Sequence, residues 1–196
     1  MLRKMFSLSG FWLVRRTVML LILGFLVLLI APGVQAATHH IGDAIEDAVG
    51  YLNQGKAHIE GGRYDQAISV LNYALSINPV SAPIYLQRGI AYLKKNQYDQ
   101  AIENFDKAIH YKSDDPQVYL RRGEAYFLKG DFDSAILDYT KVTQLVPDQG
   151  EAYIKLISTY LKKKDLLQAR VAAKKAAEHN ITLPDDIKAA LKKKEA

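Results

Sequence analysis

Shifting the chain against itself by 34 residues brings like onto like over four consecutive blocks, 48–81, 82–115, 116–149 and 150–183, with no insertion or deletion. The fourth position of the blocks holds Tyr51, Tyr85, Tyr119 and Tyr153, and the twentieth holds Ala67, Ala101, Ala135 and Ala169. The eighth reads Gly55, Gly89, Gly123 and Ile157, and the eleventh His58, Tyr92, Tyr126 and Tyr160. The twenty-fourth reads Leu71, Phe105, Tyr139 and Ala173, the twenty-seventh Ala74, Ala108, Val142 and Ala176, and the thirty-second Pro79, Ser113, Pro147 and Ile181. A period of this length belongs to chains that stack one supersecondary unit many times. It excludes most single-core folds.

Each block splits into two stretches whose apolar residues recur at three- and four-residue intervals, the pattern of amphipathic helices. In the second block these are Ala82–Lys95 and Tyr98–His110. Gly89 and Ala101 lack bulk, so the two backbones approach closely, while Tyr85, Tyr92 and Phe105 fill the space around them. Asn96-Gln97 and Gly130-Asp131 supply polar turns, and Pro79, Pro116 and Pro147 mark helix boundaries, where a missing N–H costs least. This pattern closely resembles the tetratricopeptide repeat (TPR) family over 136 of 196 residues. The resemblance implies an all-α fold, an α-solenoid coiled as a right-handed superhelix of four helix–turn–helix repeats. The fourth repeat is degenerate, with Ile157 for glycine, Ala173 for an aromatic and Ile181 for proline, which puts its tight helix contact in doubt. Residues 184–196 read as a capping helix and basic tail, with Ile187, Ala190 and Leu191 as its apolar stripe. Residues 37–47 read as a linker or a backward extension of the first helix.

The resemblance further implies a concave face lined by the first helix of each pair, with the second, fifth, ninth, twelfth and thirteenth positions projecting from it. The fifth positions are Leu52, Leu86, Leu120 and Ile154, and the twelfth Ile59, Leu93, Phe127 and Leu161. Lys56, Ile90, Glu124 and Ser158 lie between them. Either neighbouring helices cover these residues as core, or they form a semi-apolar groove for an extended or helical peptide. On the second reading Leu86, Ile90, Leu93 and Phe127 are its centre. Some family members grip a partner's C-terminal carboxylate with a basic and amide clamp. The matching positions here hold Leu52, Lys56, Gln87, Gln117 and Arg121, and only Arg121 keeps the expected type, so recognition of chaperone tails is not expected.

Ahead of the repeats, Arg3, Lys4, Arg15 and Arg16 precede an apolar run from Val18 to Ala31, then Pro32-Gly33 and Val34-Gln35-Ala36-Ala37. Residues 1–36 have the layout of a secretory signal peptide cut before Ala37. The rival reading is an uncleaved anchor. The run makes roughly 21 Å of helix, short of the ~30 Å bilayer core. Arg15-Arg16 lacks the rest of a twin-arginine motif, and the absence of Cys closes the lipoprotein route. Both readings put the repeats outside the cytoplasm, in the periplasm or secreted, because positive charge stays inside. Cleavage would also expose Ala37-Thr38-His39, whose amine, backbone nitrogens and imidazole suit square-planar Cu(II) or Ni(II).

The net charge of +5 resides mostly in that leader, so it does not argue for nucleic acid as a partner. The remainder is polarised: residues 37–149 hold 11 bases against 15 acids, and residues 150–196 hold 11 bases against 6 acids. The basic end, Lys162–Lys164, Lys174, Lys175 and Lys192–Lys194, reads as a solvated surface or as a dock for anionic lipid or an acidic partner. Of five histidines none stands at metal-ligand spacing, and no nucleophile elbow, P-loop or dinucleotide fingerprint is present. The expectation is an exported scaffold that binds a protein or peptide, without enzymatic activity or cofactor. A membrane-anchored assembly factor is the second reading, and a periplasmic copper or nickel carrier the third.

Overall fold

The computed structural model describes residues 46–112 and 114–192. The chain divides into two units, Met1–Glu46 and Asp47–Ala196. The leader, its cleavage site, the Ala37-Thr38-His39 terminus and the residues after Lys192 lie outside the described residues.

Among the described residues every regular element is a helix. The first, α1, covers residues 46–60. It is followed by α2 (Tyr64–Ile77), α3 (Ala82–Lys94), α4 (Tyr98–Tyr111), α5 (Pro116–Lys129), α6 (Phe132–Leu145), α7 (Gly150–Lys162), α8 (Leu166–Glu178) and α9 (Asp185–Leu191). From α2 to α8 each helix packs on the next, and α9 packs on both α7 and α8. The buried residues keep one stripe per helix: Ala67, Leu71, Ala74 and Leu75 on α2, and Ala101, Asn104, Phe105 and Ala108 on α4. Burying a side chain such as Phe105, which is 0 % exposed, is worth about 1.5–3 kcal/mol.

The eighth and twenty-fourth positions meet inside each of the first three repeats. A Cβ added at Gly55, Gly89 or Gly123 would lie 2.6, 2.6 or 2.8 Å from Leu71, Phe105 or Tyr139 respectively. The large residue on the second helix thus occupies the space the glycine leaves. In the fourth repeat the sizes are exchanged. Ile157 on α7 is 0 % exposed and Ala173 on α8 is small and half-buried. α7 still packs on α8, but less closely than α3 on α4 or α5 on α6, so the helix contact is looser where the glycine is lost.

The turn between paired helices is also periodic. Its fifteenth position, held by Gly62, Asn96, Gly130 and Lys164, has positive φ in every repeat, at 71°, 58°, 91° and 61°. Glycine and asparagine tolerate this left-handed geometry, whereas lysine is held there against its preference. Asp115, Asp131 and Asp165 cap α5, α6 and α8 by accepting from the backbone N–H of Gln117, Ser134 and Gln168. Each cap satisfies an amide left over at a helix start.

Two polar ladders tie the repeats together. The Arg122 guanidinium donates from Nε and Nη2 to the two carboxylate oxygens of Asp138 at 2.8 and 2.7 Å, and from Nη1 to Asp106 at 2.6 Å. One repeat earlier, Arg88 donates to Asn104 at 2.7 Å and to Asn72 at 2.6 Å. In the fourth repeat the matching pair is Leu156 and Ala172, both buried. Burial works against the charge of Arg122, but its hydrogen bonds and the charges of Asp138 and Asp106 outweigh this and raise its pKa further. Burial likewise pushes the Asp138 carboxyl upward, against the pull of Arg122. The second ladder pairs Lys95 with Asp65 at 2.5 Å, Lys129 with Asp99 at 2.7 Å, and Lys163 with Asp133. Gly61 and Leu167 stand at the two positions where this series would continue. Exposed pairs of this kind are each worth less than about 1 kcal/mol, so they set register more than stability.

Candidate functional site

The first helices α1, α3, α5 and α7 carry the residues singled out for a groove, and burial sorts these into three groups. Leu52, Leu93 and Leu120 are 8 %, 6 % and 0 % exposed. They pack in the core and offer no surface to a partner, which corrects the reading of these three as groove residues. Leu86, Gln87, Ile90, Arg121, Glu124, Phe127, Ile154 and Leu161 are half-buried, and Lys56 is exposed. The alternation of core and groove readings therefore resolves residue by residue. Among the fifth positions Leu52 and Leu120 are core, while Leu86 and Ile154 keep part of their surface.

Part of the half-buried set lines a cavity. A cavity of about 220 Å³ opens between α5 and α7, lined by Glu124, Phe127 and Leu128 of α5, Tyr139 of α6, and Ile154, Lys155 and Ser158 of α7. It brings Glu124, Phe127 and Ile154 together. Leu86, Gln87 and Ile90 are not among the residues of its walls. Ser158 is small where the two preceding repeats have Ile90 and Glu124, which leaves room at this junction.

Three lining residues were not singled out in the sequence. Leu128 occupies a thirteenth position, one of those expected to project, and is 48 % exposed; applying that rule to every repeat would have found it. Lys155 sits at a sixth position, outside the rule. Tyr139 was read as a core filler. It is one, against Gly123, but it also reaches the cavity.

The cavity is apolar on its walls and charged at its rim. Phe127 leans on Phe132 with ring centroids 5.4 Å apart. Arg121 donates to Glu124 at 3.0 Å, and Lys155 lies 4.0 Å from Glu124 and 3.6 Å from Glu151. Burial, reinforced by the negative charges of Glu124 and Asp138, raises the Tyr139 phenol well above its ordinary pKa. It therefore stays a neutral donor at any physiological pH. No group of three or more metal-ligating side chains occurs among the described residues. His58 is half-buried, and its Nδ1 accepts from Arg63 Nε at 3.0 Å.

The family model described as TPR repeat matches residues 55–96 and 91–130, and the one described as tetratricopeptide repeat matches residues 116–149. These helix pairs are tetratricopeptide repeats. Solved structures agree. The chain is similar to the crystal structure of MamA, at 26% identity with a TM-score of 0.65, over 68% of this chain and 78% of that one. It resembles in fold the first TPR domain of Spaghetti (RPAP3) bound to the HSP90 peptide SRMEEVD, at 24% identity and TM-score 0.59, over 61% of this chain and 94% of that one. It resembles also the second TPR domain of human RPAP3 in complex with the HSP70 peptide SGPTIEEVD, at 24% identity and TM-score 0.57, over 59% and 97%. No curated protein sequence matches the chain. Among the described residues the tetratricopeptide array is an all-helical solenoid, and a cavity opens between its third and fourth repeats.

Proposed function

We propose that the repeat array is a protein-interaction scaffold that seats an apolar side chain of a partner's peptide segment in the cavity between α5 and α7. The observation that carries this reading is the cavity itself. Small-molecule sites generally enclose roughly 300–1,000 Å³, so about 220 Å³ suits one large side chain better than a whole ligand. Peptide binding by the RPAP3 domains of the same fold supports the reading. The mode of recognition differs, however. Lys56, Gln87 and Arg121 do not rebuild a carboxylate clamp, and Arg121 is already held by Glu124 at 3.0 Å. The segment bound is then an internal one, anchored by apolar contact and steered by the Glu124 and Lys155 rim.

The leader favours a place outside the cytoplasm for this scaffold, in the periplasm or secreted. Retention of the leader would make it a membrane-anchored assembly factor instead, and N-terminal sequencing of the mature protein distinguishes the two. The proposed role is non-enzymatic.

The test is alanine substitution, with affinity for a partner captured from the envelope fraction measured by calorimetry. A buried aromatic anchor is worth 2 kcal/mol or more. Phe127→Ala is therefore expected to weaken binding at least about thirtyfold. Leu86→Ala, outside the cavity, is expected to change it by less than about threefold. Unchanged affinity in Phe127→Ala, with the fold intact by circular dichroism, refutes the site.

A further inference from the structure

The second helices turn their outer faces away from the peptide cavity, and those faces change character along the stack. At the eighteenth and twenty-second positions the first two repeats carry Asp65, Ser69, Asp99 and Glu103, all exposed and polar. The last two carry Asp133 and Leu137 on α6, then Leu167 and Val171 on α8. Leu137 is 71 % exposed, Leu167 63 % and Val171 43 %. The buried face of α8 is a stripe of alanines, Ala169, Ala172 and Ala176. Leu167 and Val171, one turn apart on the opposite side, therefore point outward. Exposed lysines accompany them: Lys141 on α6, Lys174 and Lys175 on α8, Lys162 at the end of α7 and Lys164 in the turn before α8. On α6 and α8 Asp133 is paired with Lys163, Asp138 is buried against Arg122 and Asp165 caps α8, which leaves Glu178 on these two helices, with Asp131 and Asp148 at the ends of α6 and Asp185 and Asp186 at the start of α9 beyond them.

We propose that this outer face, Leu137, Leu167 and Val171 with Lys141, Lys174 and Lys175, docks on the surface of an anionic lipid bilayer. Charge complementarity selects an anionic surface. The shape of the apolar part selects lipid over an acidic polypeptide, because these aliphatic side chains stand proud of the helices instead of lining a recess. Protruding branched side chains flanked by lysines enter the headgroup boundary, where the lysine stems lie along apolar surface and the ammonium groups reach phosphate. The contact is interfacial, since no helix of the described residues is long and apolar enough to cross a membrane. Docking by this face leaves the α5–α7 cavity, on the first-helix side, free for its peptide.

The chain contains no cysteine, so single labels go where they are placed. The full chain carrying Val171→Cys, or Ser69→Cys at the equivalent position of the first repeat, is labelled with a polarity-sensitive dye. It is titrated with vesicles of phosphatidylcholine alone and with about one-third phosphatidylglycerol. The expected result is a blue shift from position 171 on anionic vesicles and none from position 69. Since each lysine near such a surface contributes about fivefold in partitioning, Lys174→Glu/Lys175→Glu is expected to weaken the 171 signal at least tenfold. Any contribution of the leader is common to all variants. Circular dichroism checks that each variant is folded. The proposal is overturned by no shift at position 171, by equal shifts at both labels, or by equal shifts on neutral and anionic vesicles. It is also overturned by a shift produced by polyglutamate and not by vesicles.

Discussion

The exchange of sizes in the fourth repeat makes a demanding double-mutant cycle. Ile157→Gly empties a fully buried site, and truncation of a buried isoleucine costs about 2–5 kcal/mol. Glycine within α7 adds about 1 kcal/mol. Ala173→Phe forces an aromatic ring against Ile157, and overpacking of this kind costs about 1–3 kcal/mol. If the effects were independent, the double variant would lose roughly 4–9 kcal/mol and α8 would come away from the array. If positions 157 and 173 form one contact, the double variant instead rebuilds the Gly89–Phe105 arrangement of the second repeat, where ring and backbone already touch. Only the helix penalty of about 1 kcal/mol and a modest misfit would then remain. Urea unfolding of the parent, both single variants and the double, followed by circular dichroism at 222 nm, measures the difference. Hydrogen exchange across α7 and α8 locates it. A double variant as unstable as the sum of the singles refutes the single contact.

The Arg122 network permits a parallel experiment. Arg122→Leu strands the Asp138 carboxylate in the core, and breaking a buried pair costs about 3–5 kcal/mol. The lower end is expected, because the Arg122 side chain keeps 20% of its surface exposed. Arg122→Leu/Asp138→Ala, which copies Leu156 and Ala172, is expected to fall within about 1 kcal/mol of the parent by the same urea assay; a loss equal to the single variant would contradict it. Asp131 supplies a pH signature. Hydrogen bonds from the Ser134 hydroxyl and amide hold its carboxyl below the ordinary value of 3.8. Its contribution is therefore complete above that value and lost as pH falls through the lower folded-state pKa. Asp131→Ala is expected to lose about 1 kcal/mol near neutral pH, and the gap to the parent closes as pH falls through the lowered folded-state pKa; a gap independent of pH would exclude the cap as its cause.

The repeat period was legible because small residues recur where helices touch. Gly55, Gly89 and Gly123 mark a distance of approach that no larger side chain allows, and they do so at one spacing. What stayed hidden depended on pairs instead of positions. Ile157 looks like a lost glycine and Ala173 like a lost aromatic, and only their burial shows that the large residue has moved to the first helix. Leu120 and Ile154 occupy the same position in their repeats, yet one is fully buried and the other half-buried, because neighbouring helices cover them differently. The cavity arose from that difference and from the small Ser158. The polar ladders were present in the sequence as Arg88 and Arg122, and as Asp65, Asp99 and Asp133. They remained silent because charged residues at helical spacing read as solvent-facing until partners 16 or 30 residues away are placed.

The lysine-to-aspartate series has a bearing on how the molecule meets its own kind. Each internal junction offers an acid on one side and an ammonium on the other, so one unit clasps the next in a fixed direction. At the leading rim that clasp is blank, with Gly61 where an ammonium belongs, and at the trailing rim Leu167 replaces the acid. Two molecules laid end to end would thus find neither hand extended. The pattern that registers one unit on the next therefore lends nothing to the stacking of one molecule on another.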